Sequence, residues 1–345
     1  MSTPVGPPYA PSIVDGITAW MSRRFRHPAL VYLPAAAALA AIATGIEWLV
    51  GQYPVGVIKP YHVLTAGLAP VWLWLIGVFN SAGDHAVTRL RPVLAVDEVG
   101  LVAVRLRLTA LPFRPTLILC LVAAVAGVAR TVRDPGTLSR LGLSREPLSF
   151  AFVVVLLVLL AFVGITFVLK LLWSAWQVHR LSTSFVRVDL ARVNLLTGLA
   201  GLTGLMAASL ALSITGFVAV APESVRELEG LLSAGSAIVI SGIVFVVPLV
   251  GVHDQLVSAK TAALDAAQSR FLAIGERLHG VIDANDLPSM DPLNKAIAAA
   301  EVELRGLRAI PTWPWLPDTF RWVVGALMFP IVLFLAQALL SRLII

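Results

Sequence analysis

Residues Leu148–Leu172 read LSFAFVVVLLVLLAFVGITFVLKLL, and Lys170 is the one charged residue among them. A helix needs about 20 apolar residues to cross roughly 30 Å of hydrocarbon, so this stretch alone predicts a membrane span. The helical pattern runs on: from Leu148 to Leu181 there is no proline and no polar run. A helix over that stretch would reach about 51 Å and overrun the bilayer. Trp173 and Trp176 would then anchor at the cytoplasmic headgroup level, with Lys170 snorkelling beside them.

The rest of the chain has the same character. Of 345 residues, 58% are hydrophobic and 13% are charged, with a mean hydropathy of +0.87. A soluble domain carries about 25% charged residues, so a water-soluble enzyme is excluded first. Apolar segments lie near 28–50, 61–80, 114–131, 148–172, 194–221, 231–252 and 321–344. The third is the weakest, since its uncharged part, Pro115 to Ala129, spans about 22 Å as a helix. The prediction is an all-α, polytopic helical bundle with seven transmembrane helices.

Positive charge sets the orientation. With seven spans and a cytoplasmic N-terminus, 19 Lys and Arg fall inside and 7 outside. If the third segment does not cross, the split becomes 14 against 12. The seven-span, N-inside, C-outside arrangement satisfies the rule better. The net charge of +6 comes from 22 Arg and 4 Lys against 20 acids. In such a chain it points to topology and anionic lipid headgroups, with no nucleic-acid partner. The single cysteine, Cys120, excludes an internal disulfide framework.

Four units follow. Residues 1–27 combine a proline-rich, disordered lead-in (1–11) with a short interfacial helix. Ile13, Ile17, Trp20 and Met21 form its membrane stripe, and Arg23, Arg24 and Arg26 follow. Ser22-Arg23-Arg24 also has the look of a twin-arginine export signal, but Arg26 and His27 stand where such signals prefer apolar residues, which favours a retained anchor. Residues 28–252 hold six spans. Between the second and third lies a basic surface element, 81–114, whose Val104–Leu108 alternates like a strand while Leu101, Val104 and Leu108 fit a helix. Residues 253–310 read as a cytoplasmic antiparallel helical hairpin. Its first arm carries Leu264, Ala267, Phe271, Ile274 and Leu278 at coiled-coil spacing. Its second carries Leu293, Ile297, Ala300, Leu304 and Leu307, with Asp291 as the expected cap and Pro292 in the first turn. Residues 311–345 are a Trp/Pro elbow, with Trp313 and Trp315 as interfacial anchors, and the seventh span, which Asp318 or Thr319 can cap.

Candidate chemistry is sparse. An intramembrane charge is a functional hypothesis by default, and few are evident. Glu47, near the outer end of the first span, is an interfacial carboxylate or a polar ligand contact. Asn80 and Asn194 sit at span ends, in solvated or capping positions. The six histidines are scattered, so no metal site is expected, and no cofactor. There is no Gly-Lys-Ser/Thr phosphate loop, no Gly-x-Ser-x-Gly elbow and no His-Glu-x-x-His. No catalytic residue is assigned. Ala200, Gly204 and Ala208 offer a small-residue face for close helix packing. In the last span, Leu333, Phe334, Gln337 and Ser341 are the candidate lining of a path, because a Gln in hydrocarbon seeks a partner helix or water.

Two resemblances arise from these residues. The Trp-Pro elbow, Arg91-Pro92 and Leu108-Thr-Ala-Leu-Pro112 look like an uncharacterised group of bacterial multi-pass proteins, which implies the bacterial inner membrane. The plan also resembles the seven-transmembrane ion-channel superfamily of insect odorant and gustatory receptors, which have a cytoplasmic N-terminus and a last helix divided into a cytoplasmic and a pore-lining part. Val332-Leu-Phe-Leu-Ala336 followed by Gln337 is similar to the gustatory motif, although Pro330-Ile331 stands where that motif has Thr-Tyr. This resemblance implies a channel-like or receptor-like homo-oligomer. A scaffold that docks a cytoplasmic protein through the hairpin is the alternative, and a small-molecule transporter a third.

Overall fold

Without water, a backbone in hydrocarbon must satisfy its own polar groups, and helices do so within one segment. The computed structural model describes residues 9–94, 96–133, 146–184, 190–220, 228–284 and 286–343. Among them there is no β-strand, and Pro11 and Pro112 form an isolated antiparallel bridge. Residues 1–8 of the expected lead-in lie outside the described residues.

The helices are α1 (Ile13–Arg24), α2 (Ala29–Leu49), α3 (Pro60–Leu90), α4 (Glu98–Thr109) and α5 (Phe113–Arg133). They continue as α6 (Pro147–Ser184), α7 (Thr197–Val220), α8 (Leu228–Asp283), α9 (Leu287–Ala309) and α10 (Pro317–Leu343). Seven of these, all but α1, α4 and α9, are long and apolar enough to cross a membrane. The chain is an all-α, multi-pass membrane protein.

α3 is the hub and packs against α1, α2, α4, α6 and α7. The central core joins Ile76, Phe79 and Leu90 of α3 with Phe167 and Leu171 of α6, Leu199 and Met206 of α7, and Leu256 of α8. α7 is the most enclosed span, with 56% of its most apolar stretch buried, and α10 the least, at 11%. α10 leans on α7 through the small-residue face: a Cβ added at Gly204 would lie 2.9 Å from Val323. The face formed by Ala200, Gly204 and Ala208 therefore serves packing within one chain.

Three local expectations change. The segment 81–114, open between strand and helix, extends α3 to Leu90 and then forms α4, which Asp97 caps by accepting from the Gly100 amide at 2.8 Å. α9 begins at Leu287 rather than after Asp291, because Pro288 already occupies its first turn. Asp291 instead pairs with Lys295 one turn on, at 2.7 Å. α10 begins at Pro317, and Asp318 pairs with Arg321 at 3.6 Å rather than capping the helix.

α8 runs on from the bundle for 56 residues, about 84 Å. α9 packs against its far half: Arg270 pairs with Glu303, and Lys260 Nζ donates to the carbonyls of Arg308 and Ile310, both at 2.7 Å. Ala267, Ala300 and Leu304 are the buried residues of this seam.

Candidate functional site

α4 ends at Thr109, and the chain turns away in extended conformation at Ala110. The Ala110 amide still bonds the Leu106 carbonyl, at 2.8 Å. The next four carbonyls, 107 to 110, have no partner within the helix, the ordinary debt of a helix C-terminus. Side chains from elsewhere satisfy all four. Trp173 Nε1 donates to Arg107 O at 2.8 Å, Ser174 Oγ to Leu108 O at 3.3 Å, Lys170 Nζ to Thr109 O, and Tyr9 Oη to Ala110 O at 3.0 Å. Lys170, Trp173 and Ser174 lie at i, i+3 and i+4 on α6, so one helical face delivers three of the four donors. A cation at this point also meets the negative end of the α4 dipole.

The partner of that cation is Asp15. Lys170 Nζ lies 3.1 Å from Asp15 Oδ1, with the Lys170 side chain fully buried and Asp15 at 4% exposure. Asn80 Nδ2 donates to the same oxygen at 3.2 Å. Asp15 Oδ2 accepts from Ser12 Oγ at 2.8 Å and from the Leu111 amide at 2.7 Å. Ser12 in turn caps α1, accepting from the Asp15 amide at 3.1 Å, and its own amide donates to Leu111 O at 2.9 Å. One carboxylate thus takes four donors from α1, α3, α6 and the α4–α5 turn. That number of bonds is what a buried ion pair needs to offset desolvation.

This arrangement turns α1 inside out. Its polar residues Asp15 and Thr18 are buried together with Val14 and Met21, while Ile13, Ile17 and Trp20 remain exposed as an apolar outer stripe. Met21, expected on that stripe, is buried instead. Lys170 does not snorkel: its ammonium is drawn inward by Asp15 and the α4 carbonyls. Asn80 is not solvated at a span end but donates into the cluster, and its Oδ1 is buried without a partner. The Tyr9 phenol, held against Trp173 with ring centroids 6.3 Å apart, is pushed above its ordinary pKa, chiefly by burial.

Glu47 stands apart from this cluster. It is 3% exposed, and Ser149 at the start of α6 donates to its Oε1 at 2.5 Å. Its Oε2 is buried without a hydrogen bond.

The elbow folds back onto α8. Trp313 stacks on His253 at 4.0 Å and 13°, and Trp315 stacks on Trp313 at 4.2 Å and 13°. Phe245 and Phe320 flank Trp315 at 5.2 and 5.6 Å. His253 Nδ1 bonds the Thr312 carbonyl at 2.9 Å. Trp313 and Trp315 are therefore half-buried in a ring stack, whereas Trp20 and Trp176 are 58% and 50% exposed.

On α10, Leu333 and Phe334 pack toward Ile214 and Val218 of α7, and Gln337 Oε1 is buried with no partner. The bare face carries Val332, Leu335 and Leu339 instead. The side chain of Ser341 lies outside the described residues. Among the described cavities, the two roomy ones, about 420 and 470 Å³, are apolar grooves along α5 and α6, and neither opens onto Asp15 or Lys170. The described residues bring together no group of three or more His, Cys, Asp or Glu.

Compared with known proteins, the chain matches no family model, no curated protein and no solved structure.

Proposed function

We propose that the chain is a non-enzymatic protein of the bacterial inner membrane that works as a channel-like or receptor-like homo-oligomer, N-terminus inside and C-terminus outside. The observation that carries this reading is the weak embedding of α10: 11% of its most apolar stretch is buried by its own chain. The buried charges point the same way. Asp15 and Lys170 are committed to holding four segments together and face no roomy described cavity, so they support a rigid subunit better than a transport site within it. Any conduit then runs between subunits, with α10 at the shared axis and α8 and α9 as a cytoplasmic hairpin.

Oligomeric state in nanodiscs, by native mass spectrometry or mass photometry, tests this. A closed ring of three or more subunits is expected. Leu335→Cys in a Cys120→Ser background should form an intermolecular disulfide across the axis. A strict monomer without that cross-link overturns the reading.

A second reading, a scaffold that docks a cytoplasmic protein through the hairpin, draws on Leu272, Ile282 and Val302, which are 58%, 48% and 62% exposed on α8 and α9. Deletion of residues 256–308 would then abolish partner recovery without preventing insertion; unchanged recovery counts against it.

A further inference from the structure

The α5–α6 flank carries a feature that the oligomeric reading does not use. An open groove of about 420 Å³ is walled on one side by Leu169, Leu172, Trp173 and Trp176 of α6. The other wall is Leu111 and Pro112 of the turn before α5, with Pro115 and Leu119 of α5 itself. Following α6 out of the groove by one turn leads to Gln177 and Arg180, which line a second, small pocket with Arg107 of α4. The Arg180 guanidinium lies 5.8 Å from the centre of the Trp176 ring, and the Arg107 carbonyl is bonded by Trp173 Nε1 at 2.8 Å. The two tryptophans that wall the groove therefore each contact an arginine that lines the smaller pocket.

Both walls have the same order of chemistry. On α6 it runs Arg180, Trp176 and Trp173, then Leu169. On the facing side it runs Arg107, then Leu111 and Pro112, then Leu119. Two segments about sixty residues apart thus pass from cation, through an aromatic or proline belt, to aliphatic side chains in the same direction. Trp rings at such a level mark a membrane–water boundary. The cations are also uncompensated. Arg91 pairs with Glu98, Arg105 with Asp84 and Lys170 with Asp15, whereas no described carboxylate forms an ion pair with Arg107 or Arg180. A guanidinium pair above an apolar slot complements a phosphate above an acyl chain, and basic pockets between membrane helices hold anionic lipid headgroups for this reason.

We propose that this groove is a binding site for one anionic phospholipid, its phosphate held by Arg107 and Arg180, its headgroup against Trp176, and one acyl chain lying between α5 and α6. The site rests on the membrane-spanning architecture and not on the oligomeric reading, so a monomer in nanodiscs leaves it standing.

The test is lipid titration of the purified full chain in detergent, read by native mass spectrometry, with phosphatidylglycerol against phosphatidylcholine of matched chains. The wild type should bind phosphatidylglycerol at least tenfold more tightly. Arg107→Gln with Arg180→Gln should remove that preference, while Arg277→Gln with Arg305→Gln, on α8 and α9, should keep it. Leu119→Trp, which fills the groove without touching charge, should weaken binding of phosphatidylglycerol and so separates a built slot from bare charge. Equal binding of the two lipids by the wild type overturns the proposal, as does an unchanged preference in the Arg107/Arg180 variant. Full binding by Leu119→Trp overturns the acyl slot. Displacement of the lipid by equimolar inorganic phosphate would reassign the arginines to a free anion.

Discussion

Asp15→Ala is the most informative substitution in this molecule. It removes the acceptor for Lys170, Asn80, Ser12 and the Leu111 amide in one step. Lys170, fully buried, keeps only the Thr109 carbonyl. Breaking a buried ion pair from one side costs about 3–5 kcal/mol. The orphaned Leu111 amide adds its own desolvation, so the total belongs at the upper end of that range. Lys170→Met should cost less, about 3 kcal/mol, because the Asp15 carboxylate keeps its other three donors. The double variant removes both charges and leaves the Leu111 amide, the Ser12 hydroxyl and the Thr109 carbonyl short of partners, while Asn80 keeps Thr18. Its cost should fall about 3 kcal/mol below the sum of the singles. Asp15→Asn should be nearly as damaging as alanine, since one of its two sides must point N–H donors at donors. The assay is reversible unfolding in mixed micelles of dodecyl maltoside and dodecyl sulfate, with hydrogen exchange reporting release of α1. Single-variant costs that add to within about 0.5 kcal/mol would refute the coupling, and with it the idea that one carboxylate organises the four segments.

Three further outcomes follow from particular contacts. Gly204→Leu should push α10 off α7, because even a Cβ there meets Val323 at 2.9 Å, and the melting temperature should fall by the equivalent of about 1–3 kcal/mol; an unchanged melt would mean the two helices do not pack at this point. Asp97→Ala should cost about 0.5–2 kcal/mol and speed amide exchange at the start of α4 alone, while uniform exchange across the bundle would contradict a capping role. Tyr9 should make the N-terminal segment alkali-sensitive. Its folded pKa is raised, so the stability it contributes is complete below the ordinary value of about 10 and is lost as pH rises beyond it. Tyr9→Phe should be weaker at neutral pH yet lack that alkaline step in a limited-proteolysis profile, and persistence of the step would assign it elsewhere.

The spans were legible because each is written locally. A run such as 148–172 has only one way to satisfy its backbone in hydrocarbon, whatever the rest of the chain does. Even the overlong helices could be read, from the missing prolines in 148–181 and the seam spacing from Leu264 onward. The polar cluster was not legible, because its bonds join residues far apart: Lys170 to Asp15, Asn80 to Asp15 and Tyr9 to Ala110. Two local signals did exist. Lys170 is a lone cation within an apolar run, a place where a partner should have been sought rather than a route to the headgroups. Ser12-Ile-Val-Asp15 has the spacing of a helix-capping box, which marks the start of α1 and draws its acid inward. No rule of spacing connects those two signals. The same holds for α10, where the spacing around Gln337 defines a face but not which neighbour that face meets.

The length of α8 has a mechanical consequence. Beyond His253 it continues for about thirty residues, an arm of roughly 45 Å. A tilt of about 5° at its base would sweep the tip sideways by roughly 4 Å. The base is also where Pro248 breaks the helical hydrogen-bond ladder, and prolines are where long helices bend. Just beyond that pivot, the rings of His253, Trp313 and Trp315 fasten the start of α10 to the same shaft. Whatever pulls on the far end of α8 and α9 therefore acts as a hand on a crank, and the first turn of α10 is the part that the crank turns.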